Sequence, residues 1–183
     1  MNLPNIMTIA RIFFLPIMII GLYNGKPFML GLVIFLGILA YMLDHLDGYI
    51  AKRYNLTSIF GTFFDPIVDK LIVLSIFFVY VDLGLIPLWM ILLLMFREFL
   101  ASGLREIGSL KGKTMGAKWH GKIKGDLQAI LLIFGGVFLL TRSLNHAIIY
   151  GKEIIYYGTL VVVLFSLFSM FIYFWQNRDL FVE

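Results

Sequence analysis

The chain has 183 residues, no cysteine and few charged side chains, and both shortages restrict what it can be. Without cysteine there are no disulfide bonds and no thiolate metal sites, although this does not identify the compartment. Only 14% of the residues are charged, whereas 61% are hydrophobic and the mean hydropathy is +0.93. A soluble domain rarely has enough interior for so many apolar side chains. The lipid bilayer is therefore expected to be part of the solvent.

Long apolar runs recur along the chain, with glycine, proline, asparagine or aspartate at most of the breaks. Several runs approach or reach the ~20 residues that cross a bilayer. We predict an all-α integral membrane bundle of about six transmembrane helices, near residues 6–23, 28–53, 60–81, 85–109, 122–142 and 153–176. These spans leave no room for a separate soluble domain. Residues 1–183 are expected to form one membrane domain.

The formal net charge is +4, and the basic residues are unevenly placed. They concentrate after the second and fourth predicted helices, at Lys52, Arg53, Arg105, Lys111, Lys113, Lys118, Lys122 and Lys124. This pattern predicts that both termini and these connections face the cytoplasm, as in a bacterial plasma membrane. The same residues also fit an attraction for anionic lipid headgroups or the binding of a phosphate-bearing substrate. Nucleic acid is not an expected partner, because no domain outside the membrane would present such a surface.

Four aspartates stand near the ends of two otherwise apolar helices: Asp44, Asp47, Asp65 and Asp69. The first two are three residues apart and the last two are four apart, so each pair projects from one helix face. Carboxylates beside hydrocarbon are costly, and four together must be neutralised by protons or cations. Oxygen ligands alone favour a hard ion such as magnesium over zinc. The alternative is that each acid is satisfied by a nearby cation or by interfacial water.

The pattern Asp-x2-Asp-Gly-x2-Ala, followed by Gly61, Asp65 and Asp69, resembles the signature of the CDP-alcohol phosphatidyltransferases. That signature continues with an arginine where this chain has Lys52, followed here by Arg53. The resemblance implies a six-helix membrane enzyme in which an acceptor hydroxyl displaces CMP from a CDP-linked donor. It also implies two divalent ions, Mg²⁺ or alternatively Mn²⁺, held by the four aspartates. Asp69 corresponds to the general base of the family.

Other residues take expected roles from the same resemblance. Gly48 and Gly61 would let the cytidine approach the helices closely, although ordinary helix packing in a membrane also uses such glycines. Lys52 is expected at the diphosphate, where lysine offers a mobile point charge instead of the planar fork of arginine. Asn5 and Thr8 belong to an opening Pro-Asn-x2-Thr-x2-Arg motif and are also expected to contact the CDP group.

This opening motif and two later segments, 97–106 and 121–128, are similar to the branch of the family that joins CDP-diacylglycerol to glycerol 3-phosphate. A phosphorylated acceptor needs cationic partners at the same membrane face. The candidates are Arg11, Arg105, Lys122 and Lys124. Gly125 and Asp126 depart from the pattern of that branch. The resemblance also suggests a homodimer.

Three other functions remain open. A synthase of the same family that uses serine, inositol phosphate or phosphatidylglycerol as acceptor would share the aspartate motif. A cation or proton transporter also needs intramembrane carboxylates, but transporters place them at broken helices near the midplane rather than at helix ends. A prenyl-diphosphate enzyme shares the magnesium chemistry, yet the two spaced glycines and the aspartate spacing disfavour it.

Overall fold

The computed structural model describes residues 3–53, 59–111, 119–146 and 148–178. Within these ranges the chain forms helices and short connections, with no strand. The helices are α1 Leu3–Asn24, α2 Pro27–Arg53, α3 Ile59–Asp82, α4 Leu88–Leu110, α5 Trp119–Ser143 and α6 Gly151–Gln176. The all-α prediction is confirmed, and each predicted boundary lies within three residues of the observed one.

Glycine and proline mark the places where the chain reverses direction. Gly25 follows α1 with a φ of +67°, a left-handed conformation that glycine adopts without strain, and Pro27 opens α2. Gly84 has a φ of +68° just after α3, and Pro87 directly precedes α4. Helix α4 begins later than predicted because the residue before a proline avoids helical backbone.

The helices are long enough to cross a bilayer. Helices α1, α2, α5 and α6 each contain a stretch of 19 to 26 residues that is long and apolar enough to form a span. Helices α3 and α4 have comparable lengths of 24 and 23 residues, and each carries four charged side chains. Helices α2 and α5 carry the same number of charged side chains. The chain is a membrane protein, and these four helices bring most of the charge into the bundle.

Neighbouring helices pack in an up-and-down bundle. Helix α1 contacts α2 and α3, helix α5 contacts α2, α3 and α6, and helix α4 contacts α3 and α6. The core includes fully buried side chains such as Phe77, Ile91 and Ile155. Three contacts place one end of each of helices α1 to α5 on the same side of the bundle. They join Arg11 of α1 to Asp44 of α2, Lys70 of α3 to Ser102 of α4, and Lys124 of α5 to Glu98 of α4. We call this side the polar end of the bundle.

Gly135 of α5 provides the space in which the Tyr80 ring of α3 packs. A Cβ atom on Gly135 would lie 2.4 Å from a ring carbon. The Tyr80 hydroxyl also donates a hydrogen bond of 2.6 Å to the Leu132 carbonyl, which restricts movement of the ring. Gly135→Ala is therefore expected to lower the free energy of unfolding by ~1–3 kcal/mol, the usual cost of overpacking.

The midpoint of thermal unfolding in detergent measures this effect. Gly31→Ala is the matched control, because no atom lies within 4 Å of the Cβ that it adds. An unchanged midpoint for Gly135→Ala would show that the Tyr80 ring can move aside at little cost.

Candidate active site

Arg11 lies at the centre of the polar end, between the acids of α2 and α3. Its side chain is only 1% exposed, and its guanidinium pairs with Asp44 Oδ1 of α2. The same guanidinium lies 3.8 Å from Asp65 Oδ1 of α3. Thr8, one turn earlier in α1, donates a hydrogen bond of 2.5 Å to that Asp65 oxygen. Helix α1 therefore connects the two halves of the aspartate motif.

A cavity of about 620 Å³ lies beside these residues, between α1, α2, α3 and α5. Arg11, Asp44, Asp69 and Asp126 line its polar part, and most of the remaining wall is apolar. Asp69 follows Asp65 by four residues, which places both carboxylates on one side of α3. The cavity is therefore acidic where the helix ends meet and apolar farther into the bundle.

A second polar group lies where α2 faces α5. The Tyr41 hydroxyl donates a hydrogen bond of 3.0 Å to Asp126 Oδ1, and His45 Nε2 lies 4.0 Å from the same oxygen. The Tyr41 and His45 rings are in contact, with centroids 4.5 Å apart. Consecutive residues of a helix point about 100° apart. His45 and Asp44 nevertheless both line the cavity, because the cavity reaches more than one face of α2.

Asp126 is a residue of the cavity that the sequence motif does not include. The signal in the sequence is an acid that stands shortly before the apolar run of α5, which begins at residue 129. Its partners on α2 could not be inferred, because they are far away in sequence.

Four cations lie together beside α3, and we call them the basic cluster: Lys70, Arg97, Arg105 and Lys124. They lie close enough to one another to interact electrostatically. Arg97 and Lys124 are only 8% and 4% exposed. Glu98 forms an ion pair with Lys124 and lies 3.1 Å from Arg97. Even with Asp69 included, which lies near Lys70 and Lys124, the cations outnumber the acids.

Two buried donors in this region have no hydrogen-bond partner among the described residues. They are Arg97 Nε and the hydroxyl of Tyr173 in α6. Tyr173 is within electrostatic range of both Arg97 and Arg105. Unsatisfied buried donors are costly, and charge-assisted hydrogen bonds to an anion would satisfy them. The basic cluster is therefore chemically suited to bind an anion such as phosphate.

The structure brings together the predicted site residues whose side chains it describes. Thr8, Arg11, Asp44, Asp65 and Asp69 lie at the acids and the cavity, whereas Arg105 and Lys124 belong to the basic cluster. Six other predicted positions lie in helices, but their side chains are outside the described part of the chain: Asn5, Asp47, Gly48, Lys52, Gly61 and Lys122. The roles of those six stay predictions.

Lys70 and Arg97 belong to the basic cluster but are not among the residues predicted to bind an anion. In the sequence, Lys70 is equally explained as a partner of the neighbouring aspartates, and Arg97 as an ion pair with Glu98. The structure shows the Arg97–Glu98 contact, and it also shows that Lys70 extends to Ser102 of α4. Only the packing of α3 against α4 places these two cations in one group.

The described acids have the chemistry that a hard divalent cation requires. Asp44, Asp65 and Asp69 offer carboxylate oxygens, which magnesium prefers as ligands. Within the described ranges, no three acidic or histidine side chains stand at metal-binding distances from one another. The Arg11 guanidinium contacts Asp44 and Asp65, and its positive charge lies beside the carboxylates that a bound metal ion would neutralise. In chemical type these donors therefore fit such an ion.

The chain belongs to the CDP-alcohol phosphatidyltransferases, because the family model of that description matches residues 1–165. It is therefore a transferase, and members of this family generally depend on divalent metal ions.

Similar proteins from several bacteria cover most of the chain. One from Rickettsia felis is 38% identical over 151 residues, which cover 81% of this chain and 80% of the relative. One from Rickettsia bellii is 42% identical over 136 residues, 72% of each chain. One from Bacillus subtilis is 36% identical over 145 residues, 70% of this chain and 73% of the relative. All three carry the name CDP-diacylglycerol--glycerol-3-phosphate 3-phosphatidyltransferase.

Proposed function

We propose that the chain transfers the phosphatidyl group of CDP-diacylglycerol to glycerol 3-phosphate, giving phosphatidylglycerol phosphate and CMP. The observation that carries the proposal is that the acids and the basic cluster meet at two consecutive residues of α3. Asp69 lines the cavity with Asp44, whereas Lys70 extends to Ser102 of α4. One helix thus presents a cation-binding side and an anion-binding side. Transfer from a metal-bound diphosphate to a phosphorylated alcohol requires both.

The donor headgroup binds on the acidic side in this proposal. Two Mg²⁺ ions would be held there by Asp44, Asp47, Asp65 and Asp69, and would neutralise the diphosphate and the charge that leaves with CMP. The CDP contacts are assigned to Asn5, Thr8, Gly48, Lys52 and Gly61. The Thr8 hydrogen bond to Asp65 supports this assignment, because it places the start of α1 beside a proposed metal ligand.

Asp69 acts as the general base. The acceptor hydroxyl oxygen forms a bond to the phosphorus that carries diacylglycerol, and the bond from that phosphorus to the CMP oxygen breaks. The hydroxyl proton passes to the Asp69 carboxylate. The position of Asp69 supports this role, because it lies near Asp44 and also near Lys70 and Lys124 of the basic cluster. An acceptor held by the cluster would present its hydroxyl to this carboxylate.

The acceptor phosphate binds at the basic cluster. Arg105 and Lys124 are joined there by Lys70 and Arg97, while Arg11 and Lys122 stay predicted ligands of the same phosphate. The positive excess supports a phosphorylated acceptor over serine, whose ammonium group the same cations would repel. Inositol phosphate carries the same anionic group, so the names of the relatives are what favour glycerol 3-phosphate.

The polar end is proposed to face the cytoplasm of a bacterial plasma membrane. The positive-inside tendency supports this orientation, because α2 ends in Lys52 and Arg53 at that end and Lys111 directly follows α4 there. The acyl chains of the donor would remain within the bundle or bilayer while its headgroup reaches the aspartates. We also propose that the chain acts as one membrane domain and that it forms a homodimer, as the family resemblance suggests.

Arg105→Gln tests the acceptor assignment. The KM for glycerol 3-phosphate is expected to rise about tenfold, the low end of the range for a hydrogen bond to a charged group, because Arg105 is exposed. The KM for CDP-diacylglycerol should stay unchanged. Release of CMP by purified protein in detergent measures both constants.

Lys111→Gln is the matched control, since it removes the same charge at the same end of the bundle, just beyond α4. Equal effects of the two substitutions would indicate a general attraction for anionic headgroups instead of an acceptor site. CMP release with serine or inositol phosphate, but not with glycerol 3-phosphate, would overturn the acceptor.

A further inference from the structure

The cavity extends far beyond the residues that the transfer reaction needs. Its wall runs from Asp44 to Val33 along α2, from Asp69 to Tyr80 along α3, and from Gly125 to Gly136 along α5. At about 1.5 Å per helical residue, each of these segments is ~16 Å long. The three helices therefore give the cavity the same depth on three sides.

This depth corresponds to one leaflet of a bilayer. The hydrocarbon core is ~30 Å thick, so one leaflet contributes about half of that thickness. The cavity begins at the acids of the polar end and continues between apolar side chains such as Met18, Val33, Ile76 and Ile133. An apolar channel of this depth, continuous with a headgroup site, matches one acyl chain of a membrane lipid.

Tyr80 lines the inner end of the cavity and is held rigidly. Its side chain is 1% exposed, and its hydroxyl donates a hydrogen bond to the Leu132 carbonyl. Its ring packs against Gly135, where even a methyl group would collide with it. A ring fixed on two sides cannot move aside easily for a chain that is longer than the cavity.

We propose that the cavity takes one fatty acyl chain of CDP-diacylglycerol and that Tyr80 sets the chain length that fits. This inference rests on the proposed function, because it assumes that the headgroup of the same lipid binds at the acids. Tyr80 is then a specificity-determining residue for the donor, and the second acyl chain lies elsewhere.

The test compares donors with matched acyl chains, from didecanoyl to distearoyl, in mixed micelles at a fixed mole fraction. Tyr80→Ala removes the ring and is expected to move the maximum of kcat/KM to longer acyl chains. The kcat/KM for a donor longer than the wild-type optimum, divided by that for a shorter donor, should rise about tenfold. Ile76→Phe adds a ring one turn nearer the acids and should move the maximum to shorter chains. The opposite directions keep the test decisive if one variant does not fold.

Phe78→Ala is the matched control, because Phe78 is an exposed aromatic side chain of the same helix and does not line the cavity. It should leave the chain-length preference unchanged. Thermal stabilisation by each donor is measured in parallel, so that chain-length dependence is also visible in protein that transfers nothing.

The inference is overturned if all three proteins transfer to glycerol 3-phosphate with the same chain-length profile. The three proteins are the wild type, Tyr80→Ala and Ile76→Phe, and that result would leave the proposed function intact. A different result would reject the proposed function and support the acyl-chain site. In that case the wild type transfers nothing, but it binds the donor, and the chain-length dependence of binding shifts in the variants.

Discussion

Replacing Asp69 by asparagine is expected to lower kcat for CMP release by roughly 10²- to 10⁴-fold, the usual contribution of a general base. Asparagine keeps an oxygen that can face a metal ion, but its amide cannot take up the proton of the acceptor hydroxyl. Asp69 lines the cavity at the point where the acids approach Lys70 and Lys124 of the basic cluster. The loss should therefore appear in kcat more than in the KM of either substrate.

Asp82→Asn is the matched control for this prediction. Asp82 is the last residue of the same helix, at the end opposite Asp69, and its side chain is exposed. The control should retain the wild-type kcat and the wild-type stability. If the kcat of Asp69→Asn were within a few-fold of the wild-type kcat, proton transfer to this carboxylate would be excluded as a major part of catalysis.

The second large effect is expected at Arg11. Arg11→Gln leaves Asp44 and Asp65 without the guanidinium that contacts both of them. Breaking a fully buried ion pair costs ~3–5 kcal/mol. The two carboxylates are 39% and 36% exposed, so solvent should reduce this cost to ~1–3 kcal/mol. The midpoint of thermal unfolding in chelator should therefore fall by several degrees, at about 2–4 °C per kcal/mol.

Magnesium distinguishes this explanation from a simple loss of packing. Without Arg11 the acids repel one another more strongly, so the addition of Mg²⁺ should raise the unfolding midpoint of Arg11→Gln more than that of the wild type. Arg11→Lys keeps the charge and should lie between the two. Equal magnesium effects in all three proteins would show that Arg11 and the cation do not share these carboxylates.

Most of the fold follows from the sequence because the physical signal is strong and local. Apolar runs of spanning length are separated by glycine and proline, and these breaks limit where a helix can begin or end. The difference of three residues at the start of α5 arises where the signal is weak. This helix begins at Trp119, in a basic segment before the apolar run.

The candidate site could be predicted only in part. The spacing of Asp65 and Asp69 follows from helix periodicity, so it is visible in the sequence. The contact between Tyr41 and Asp126, 85 residues apart, depends on how α2 packs against α5. Likewise, periodicity places Lys70 on a face of α3 but does not say that α4 lies opposite it. Which helix faces meet is decided by packing between distant segments, and one sequence contains little information about it.

A single competition experiment tests the proposed reaction most directly. Purified protein in detergent receives CDP-diacylglycerol with Mg²⁺ and an equimolar mixture of glycerol 3-phosphate, serine, inositol phosphate and phosphatidylglycerol, and the lipid product is identified by mass spectrometry. We expect phosphatidylglycerol phosphate as the dominant product, with equivalent release of CMP and no product in chelator. A different phospholipid would contradict the acceptor, and the absence of any product from folded protein would contradict the proposed reaction itself.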